Sequence, residues 1–199
     1  MLPSSIQNFI AAFSRLPAIG PRAATRLAFH ILGLDAQTQH ALESTLQGLA
    51  HLDECPHCFF VKQKDKDRCV ICSDKSRDHT TIAIVEKPTD LLTIEKSGAY
   101  RGIYCVIGEI SARGTLESAH STRLKSLKAR IEKKLGGAAQ EIVIATNPNI
   151  IGDLLYNTVV KDFKDHARRI TRLGRGIPTG GEVEFADRET LRDALERRI

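Results

Sequence analysis

The segment CPHCFFVKQKDKDRCVIC carries two C-x-x-C pairs, Cys55 with Cys58 and Cys69 with Cys72, separated by ten residues. Each pair turns tightly and presents two thiolates, and two such knuckles supply the tetrahedral sulfur set that zinc prefers. Four cysteines leave no coordination position open, so the chemistry expected is structural. One zinc per chain would hold a stretch too polar to build a core of its own. The alternative is a redox role for the pairs. His57 and His79 read as solvent-facing polar residues rather than ligands, and Cys105, inside an apolar run, as a buried free thiol.

A second candidate is ATNPNIIGD, residues 145–153, directly after the apolar run EIVI. Phosphate-handling enzymes place metal-binding carboxylates in loops of this kind, yet Asn147 and Asn149 are amides. A third is LPAIGPRAATR, residues 16–26. A turn ending at Gly20, with Pro21 opening a helix, aims backbone N–H groups outward, where a phosphate oxygen can be received. Arg22 and Arg26, one helical turn apart, share a face and could neutralise neighbouring phosphates together with Arg15, without reading sequence. A helix pair packed only for stability fits the same residues. In GIPTGGEVEF, residues 176–185, Gly180 and Gly181 suit a tight turn, with Val183 and Phe185 alternating afterwards as a short strand. The Lys-Ser/Thr ending of a phosphate loop is missing there.

The elements that must position these groups follow from periodicity. Ile6, Phe9, Ile10 and Phe13 form the stripe of a helix over 4–15, capped by Ser4 or Ser5 and stopped before Pro17. A second helix runs from Pro21 to about Leu32, where Gly33 ends it, and Asp35 caps a third whose buried side is Leu42, Leu46 and Leu49. Beyond the cysteines, strands are expected over 81–85, 103–107, 141–145 and 169–173, with helices over 89–97, 121–135 and 151–166 between them. That alternation gives a parallel sheet covered on both faces. In the second of these helices Leu124, Leu127, Ile131 and Leu135 face inward, and Arg123, Lys125, Lys128, Arg130, Lys133 and Lys134 face out. DRETLRDALERRI closes the chain as a helix capped by Asp187.

With 199 residues, 42% of them hydrophobic, the chain can bury a real core, and its charge of +5 and pI near 9.0 suit an anionic partner. Residues 113–134 hold seven Lys or Arg against Glu117 and Glu132, and residues 161–175 hold six against Asp162 and Asp165. Either run alone reads as a solvated face; both together point to a surface that tracks phosphates. Aromatic residues make up 5% and Trp is absent, so base stacking is not the expected source of affinity. Binding to DNA would be sequence-independent and salt-sensitive. Neither a membrane span nor a signal peptide is visible, which places the expected protein in the cytoplasm.

LPAIGPRAATR resembles the helix-hairpin-helix of the RecR family of bacterial recombination mediators, and the four-cysteine motif follows where that family places it. AIVEKPTDLLTIEKSGAYRGIYCVIGEIS, ATNPNIIGD and RLGRGIPTGGEVEFADRETLRDALE resemble that family's Toprim segments. The resemblance implies an α/β multi-module chain: a helical helix-hairpin-helix module over 1–54, a C4-type zinc finger over 55–72, a Toprim domain over 79–175, and a C-terminal Gly-rich hairpin, strand and helix over 176–199. Catalytic Toprim domains end one strand in Glu and hold magnesium on paired Asp residues. Here those positions are Glu86, Asn147 and Asn149, with Asp153 as the terminal acid and Asp90 nearby. Glu86, Asp90 and Asp153 could hold at most a weak magnesium ion. IIGD stands where the family usually has VEGE, and GEISARGT where it has a Gly-Gly pair followed by SPLDG. The resemblance implies a non-catalytic, DNA-binding mediator of recombinational repair. It would form a homo-oligomer, a dimer or tetrameric ring, and act with RecO and RecF to load RecA on single-stranded DNA coated by single-strand-binding protein. The rivals are a Toprim nuclease using Glu86, Asp90, Asp153 and magnesium, and a zinc-stabilised interaction module without DNA affinity.

Overall fold

The computed structural model describes residues 2–111, 116–196 and 198. Part of the loop GEISARGT, with Arg113, and also Arg197 lie outside the described residues. The chain divides into two compact units, Met1–Leu52 and Asp53–Ile199.

The first unit is helical: α1 (Ser4–Phe13), α2 (Pro21–Leu32) and α3 (Ala36–Leu49). Ser4 and Ser5 lie inside α1 and do not cap it. The cap is Pro3, whose carbonyl accepts from Ile6 and Gln7 N–H at 3.1 and 3.2 Å. Ala24 and Ala28, one turn apart and buried, let α2 pack closely on α1. Asp35 caps α3 by accepting from Thr38 N–H at 2.9 Å. The expected burial of Leu42, Leu46 and Leu49 does not occur: they are 42%, 58% and 61% exposed. A helical stripe is buried only if an element lies over it, and within this unit the close helix packing is between α1 and α2.

In the second unit, the ribbon β1 (Leu52–Glu54) with β2 (Val61–Gln63) and the short helix α4 (Val70–Ser73) carry the cysteines. A parallel sheet follows, built from β3 (Asp78–Val85), β4 (Gly102–Val106), β5 (Glu141–Ile144) and β6 (Ile170–Arg172), in the order β4-β3-β5-β6. The crossovers are α5 (Pro88–Ser97), α6 (Ser118–Lys134) and α7 (Ile150–Phe163). Strand periodicity divides the core into two. Ile82, Ile84, Ile103, Cys105, Ile142 and Ile144 pack with Leu124, Leu127 and Ile131 of α6 and Leu155, Val159 and Phe163 of α7. On the other face Ala83, Val85, Tyr104 and Val106 pack with Leu91 of α5 and with all four cysteines, Phe60 and Ile71. The cysteine-bearing segment therefore serves as the cover of a sheet face.

Two further expectations change. The basic side of α6 is partly committed to packing: Arg123 and Arg130 donate to backbone carbonyls, and Lys128 lies 5.5 Å over the Phe163 ring. At the C-terminus Gly180 takes a positive φ of 86°, but Val183–Phe185 is a 3-10 turn rather than a strand. Among the described residues no strand pairs with it, and Phe185 and Ala186 N–H close onto Glu182 and Val183 carbonyls, both at 3.2 Å. Helix α8 (Arg188–Glu196) follows, capped by Asp187 through Thr190 N–H at 2.9 Å.

Candidate functional site

The first knuckle closes around Phe59, held at φ 61°, with Cys55 N–H donating to Phe60 O at 2.6 Å and Phe59 N–H to Cys55 O at 2.8 Å. In the second, Cys69 caps α4, its sulfur accepting from Cys72 N–H at 3.4 Å, while Cys69 N–H reaches the Cys55 sulfur at 3.4 Å. All four thiols are free and buried, and their sulfurs lie within 4.8 Å of one another. At a Zn–S distance of about 2.3 Å, a tetrahedral set has sulfurs about 3.8 Å apart. The four thiols and their N–H···S contacts therefore fit a tetrahedral thiophilic metal. Crowding also splits their acidities. Hydrogen bonds with Cys58, then Cys69 and Cys72, hold the Cys55 thiol far below its ordinary range, while those with Cys55, then Cys69 and Cys72, push Cys58 far above it. A cation bound to all four sulfurs removes that competition for protons. Cys105 stands apart, fully buried in the sheet and pushed up to about 11 by burial.

Several contacts fasten this centre to the sheet. Val106 N–H donates to Cys58 O at 2.8 Å, and Arg130 Nη1 to His57 O at 2.5 Å. Arg123 pairs with Glu54 at 2.5 Å, donates to Val106 O at 3.1 Å, and lies 5.1 Å over the Phe59 ring. His57 and His79 are half-buried rather than solvent-facing, and neither belongs to the sulfur cluster.

In the first unit, Arg15, Gly20, Arg22 and Arg26 are all exposed. The left-handed residue of the hairpin is Ala18 at φ 61°; Gly20 is extended and caps α2 with no side-chain hydrogen bond. A Cβ on Gly20 would meet nothing within 4 Å. The start of α2 at Gly20, Pro21 and Arg22 is exposed, while Ala24 is buried.

The loop of Asn147 and Asn149 lies at the carboxyl ends of β3 and β5. From these neighbouring strands the chain leaves in opposite directions, to β4 and to β6, and ligand crevices of open α/β sheets form at such a switch point. Glu86, directly after β3, is 5% exposed and accepts from Asn147 N–H at 3.4 Å; burial raises its carboxyl above the usual range. Asp90 turns back to accept from Lys87 N–H at 2.9 Å, capping α5. Asn149 caps α7 by accepting from Gly152 N–H at 2.9 Å. Asp153 pairs with Arg172 at 2.8 Å and with Arg175, which also holds Glu189 at 2.9 Å. The structure joins Asn147 to Glu86, engages Asp90 with the start of its own helix, and turns Asp153 towards the arginines. Among the described residues, the four cysteines alone gather three or more ligating side chains closely enough to share an ion. The Asp153 pairs were missed from sequence; the signal was RLGR, which puts Arg172 at the end of β6 and Arg175 just past it.

Residues 6–49 match the family model "RecR, helix-hairpin-helix", residues 80–174 "Toprim domain", and residues 176–199 "RecR, C-terminal". Recombination protein RecR of Chloroflexus aggregans is 39% identical over 202 residues, covering 100% of this chain and 95% of its own. The proteins of that name from Roseiflexus castenholzii and Syntrophobacter fumaroxidans are each 36% identical, covering 100% and 98% of this chain and 95% and 96% of their own. The chain belongs to the RecR family. Its helical N-terminus, cysteine cluster, parallel Toprim sheet and C-terminal helix are the RecR architecture. Within this RecR-family chain, Ile150 and Ile151 of the IIGD segment part company. Ile150 is 88% exposed, whereas Ile151 packs against the α7 side of the core.

Proposed function

We propose that this RecR-family chain is a non-catalytic DNA-binding mediator of recombinational repair, with one structural zinc on Cys55, Cys58, Cys69 and Cys72. The observation that carries the non-catalytic reading is the fate of the acids: Glu86 is buried, Asp90 caps a helix and Asp153 is paired with two arginines. A magnesium ion that steers phosphoryl chemistry needs carboxylates free to replace its waters. DNA is received at the hairpin, where Arg15, Arg22 and Arg26 flank the exposed start of α2 and Gly20 leaves room for a phosphate to approach. The recombination role rests on the named function of the relatives. The expected partners are RecO and RecF, with RecA loading on single-stranded DNA as the outcome, in the cytoplasm. Among the described residues no helix is long and apolar enough to cross a membrane.

Gel shifts across a salt series, with labelled DNA and magnesium or manganese, test this reading. Retarded but intact DNA is expected, with the Arg22→Ala/Arg26→Ala variant losing affinity and lowering the salt slope by about 2. Metal-dependent cleavage abolished by Glu86→Gln would establish the nuclease instead. No shift at low salt would favour an interaction module.

A further inference from the structure

Beside the cysteine cluster lies a cavity of about 190 Å³, lined by His57, Arg68, His79, Arg130 and Lys134, with Ile103 and Leu135 as apolar wall. No carboxylate lines it. Among the described residues, Arg68, Arg130 and Lys134 take part in no ion pair. Arg130 is fixed by its Nη1 bond to His57 O at 2.5 Å, while its Nη2 is buried without a partner. His79 is oriented by its Nε2 contact with Asp74 O at 2.9 Å. Surface cations are ordinarily solvated singly or matched with acids. Several that line one concavity without an acid focus a positive potential into it, and an anion is what such a field concentrates.

We propose that this cavity binds a phosphoryl oxyanion, gripped by Arg68, Arg130 and Lys134. A guanidinium held in place by its other nitrogen offers an N–H donor to such an oxygen with little left to order. The volume of about 190 Å³ falls below the roughly 300–1,000 Å³ of pockets that take drug-sized ligands, which suits a phosphoryl group. The site lies in the second unit and does not depend on the hairpin's contacts with DNA. Cys72 also borders the cavity, which defines the competing explanation: the cations offset the negative charge of a metal–thiolate cluster. The two explanations differ in what losing the cations does to the metal.

Calorimetric titration of inorganic phosphate into the full-length, metal-loaded protein, at ionic strength held constant with chloride, decides between them. Saturable binding of one phosphate per chain is expected. It should weaken about tenfold or more in Arg68→Gln/Lys134→Gln, which spares the Arg130 brace, with metal content and melting temperature in chloride unchanged. Absence of saturable binding, equal affinity in the variant, or loss of metal from the variant would overturn the proposal. The titration is repeated with saturating oligonucleotide and with Arg22→Ala/Arg26→Ala. Phosphate displaced by the oligonucleotide identifies a DNA phosphate as the occupant, and phosphate retained identifies a free phosphate compound; either supports the site. Phosphate binding that survives in an Arg22→Ala/Arg26→Ala protein unable to shift DNA leaves this site standing.

Discussion

Gly152 lies where the first turn of α7 passes against the loop before it: a Cβ there would sit 2.0 Å from Asn147 O and 3.1 Å from Thr146 Oγ1. Backbone cannot retreat as a flexible side chain can, so Gly152→Ala should cost about 1–3 kcal/mol, the usual range for overpacking, read as a lower urea midpoint. An unchanged midpoint would mean the loop yields freely. Glu86 lies across the same switch point and invites a pH test. Burial raises its carboxyl above the ordinary 4.5, so the folded state holds its proton longer than the unfolded state. Its contribution is then fully present below 4.5 and is lost as pH rises through the folded value. Glu86→Gln, which keeps an acceptor for Asn147 N–H, should melt higher than wild type at pH 7, and the difference should vanish towards pH 4. A variant less stable at neutral pH would mean that the ionised carboxylate has a favourable partner. Asn147 and Asn149 were legible as amides in a loop where carboxylates would hold a metal. The pairing of Asp153 was not, because it brings α7 together with Arg172 at the end of β6 and Arg175 just past it, 19 and 22 residues away in the chain.

At the level of elements, the parallel sheet was legible because the strand and helix periods alternate cleanly from residue 81 onward. What covers each face was not. Ala83, Val85, Tyr104 and Val106 announce a buried face without naming its partner, and their partner is a polar, cysteine-bearing segment with no periodicity of its own. The strand expected at Val183 and Phe185 failed for a related reason: alternation suggests a strand, but only a neighbouring strand can pair it. Because the cysteines and the sheet share one core, metal removal should be felt beyond residues 55–72. Structural zinc contributes an apparent ~10–16 kcal/mol in finger peptides, comparable with the ~5–15 kcal/mol net stability of a typical domain. Chelation under reducing conditions should therefore lower the melting temperature and speed amide hydrogen exchange at Ala83–Val85 and Tyr104–Val106. Unchanged exchange in those strands would show that the segment folds as a separate module.

For the whole molecule, the apolar surface left in water by a single chain is the feature that needs an account. Leu42, Leu46 and Leu49 lie one turn apart along α3, all exposed, and Phe29 and Leu32 at the end of α2 are 51% and 60% exposed. Covering such side chains is worth about 1.5–3 kcal/mol each when burial is complete, and a second copy of the same surface can supply the cover symmetrically. The homo-oligomer proposed from family resemblance thus gains a specific test. Leu42→Glu/Leu46→Glu/Leu49→Glu should lower the mass measured by light scattering while leaving helical circular dichroism unchanged, since these positions bury little within one chain. The same variant should bind DNA more weakly and with a shallower salt slope, because an assembly presenting several hairpins neutralises more phosphates per binding event than one chain does. A wild-type protein that is monomeric at tens of micromolar, with or without DNA, would remove the oligomer and leave each hairpin to act alone.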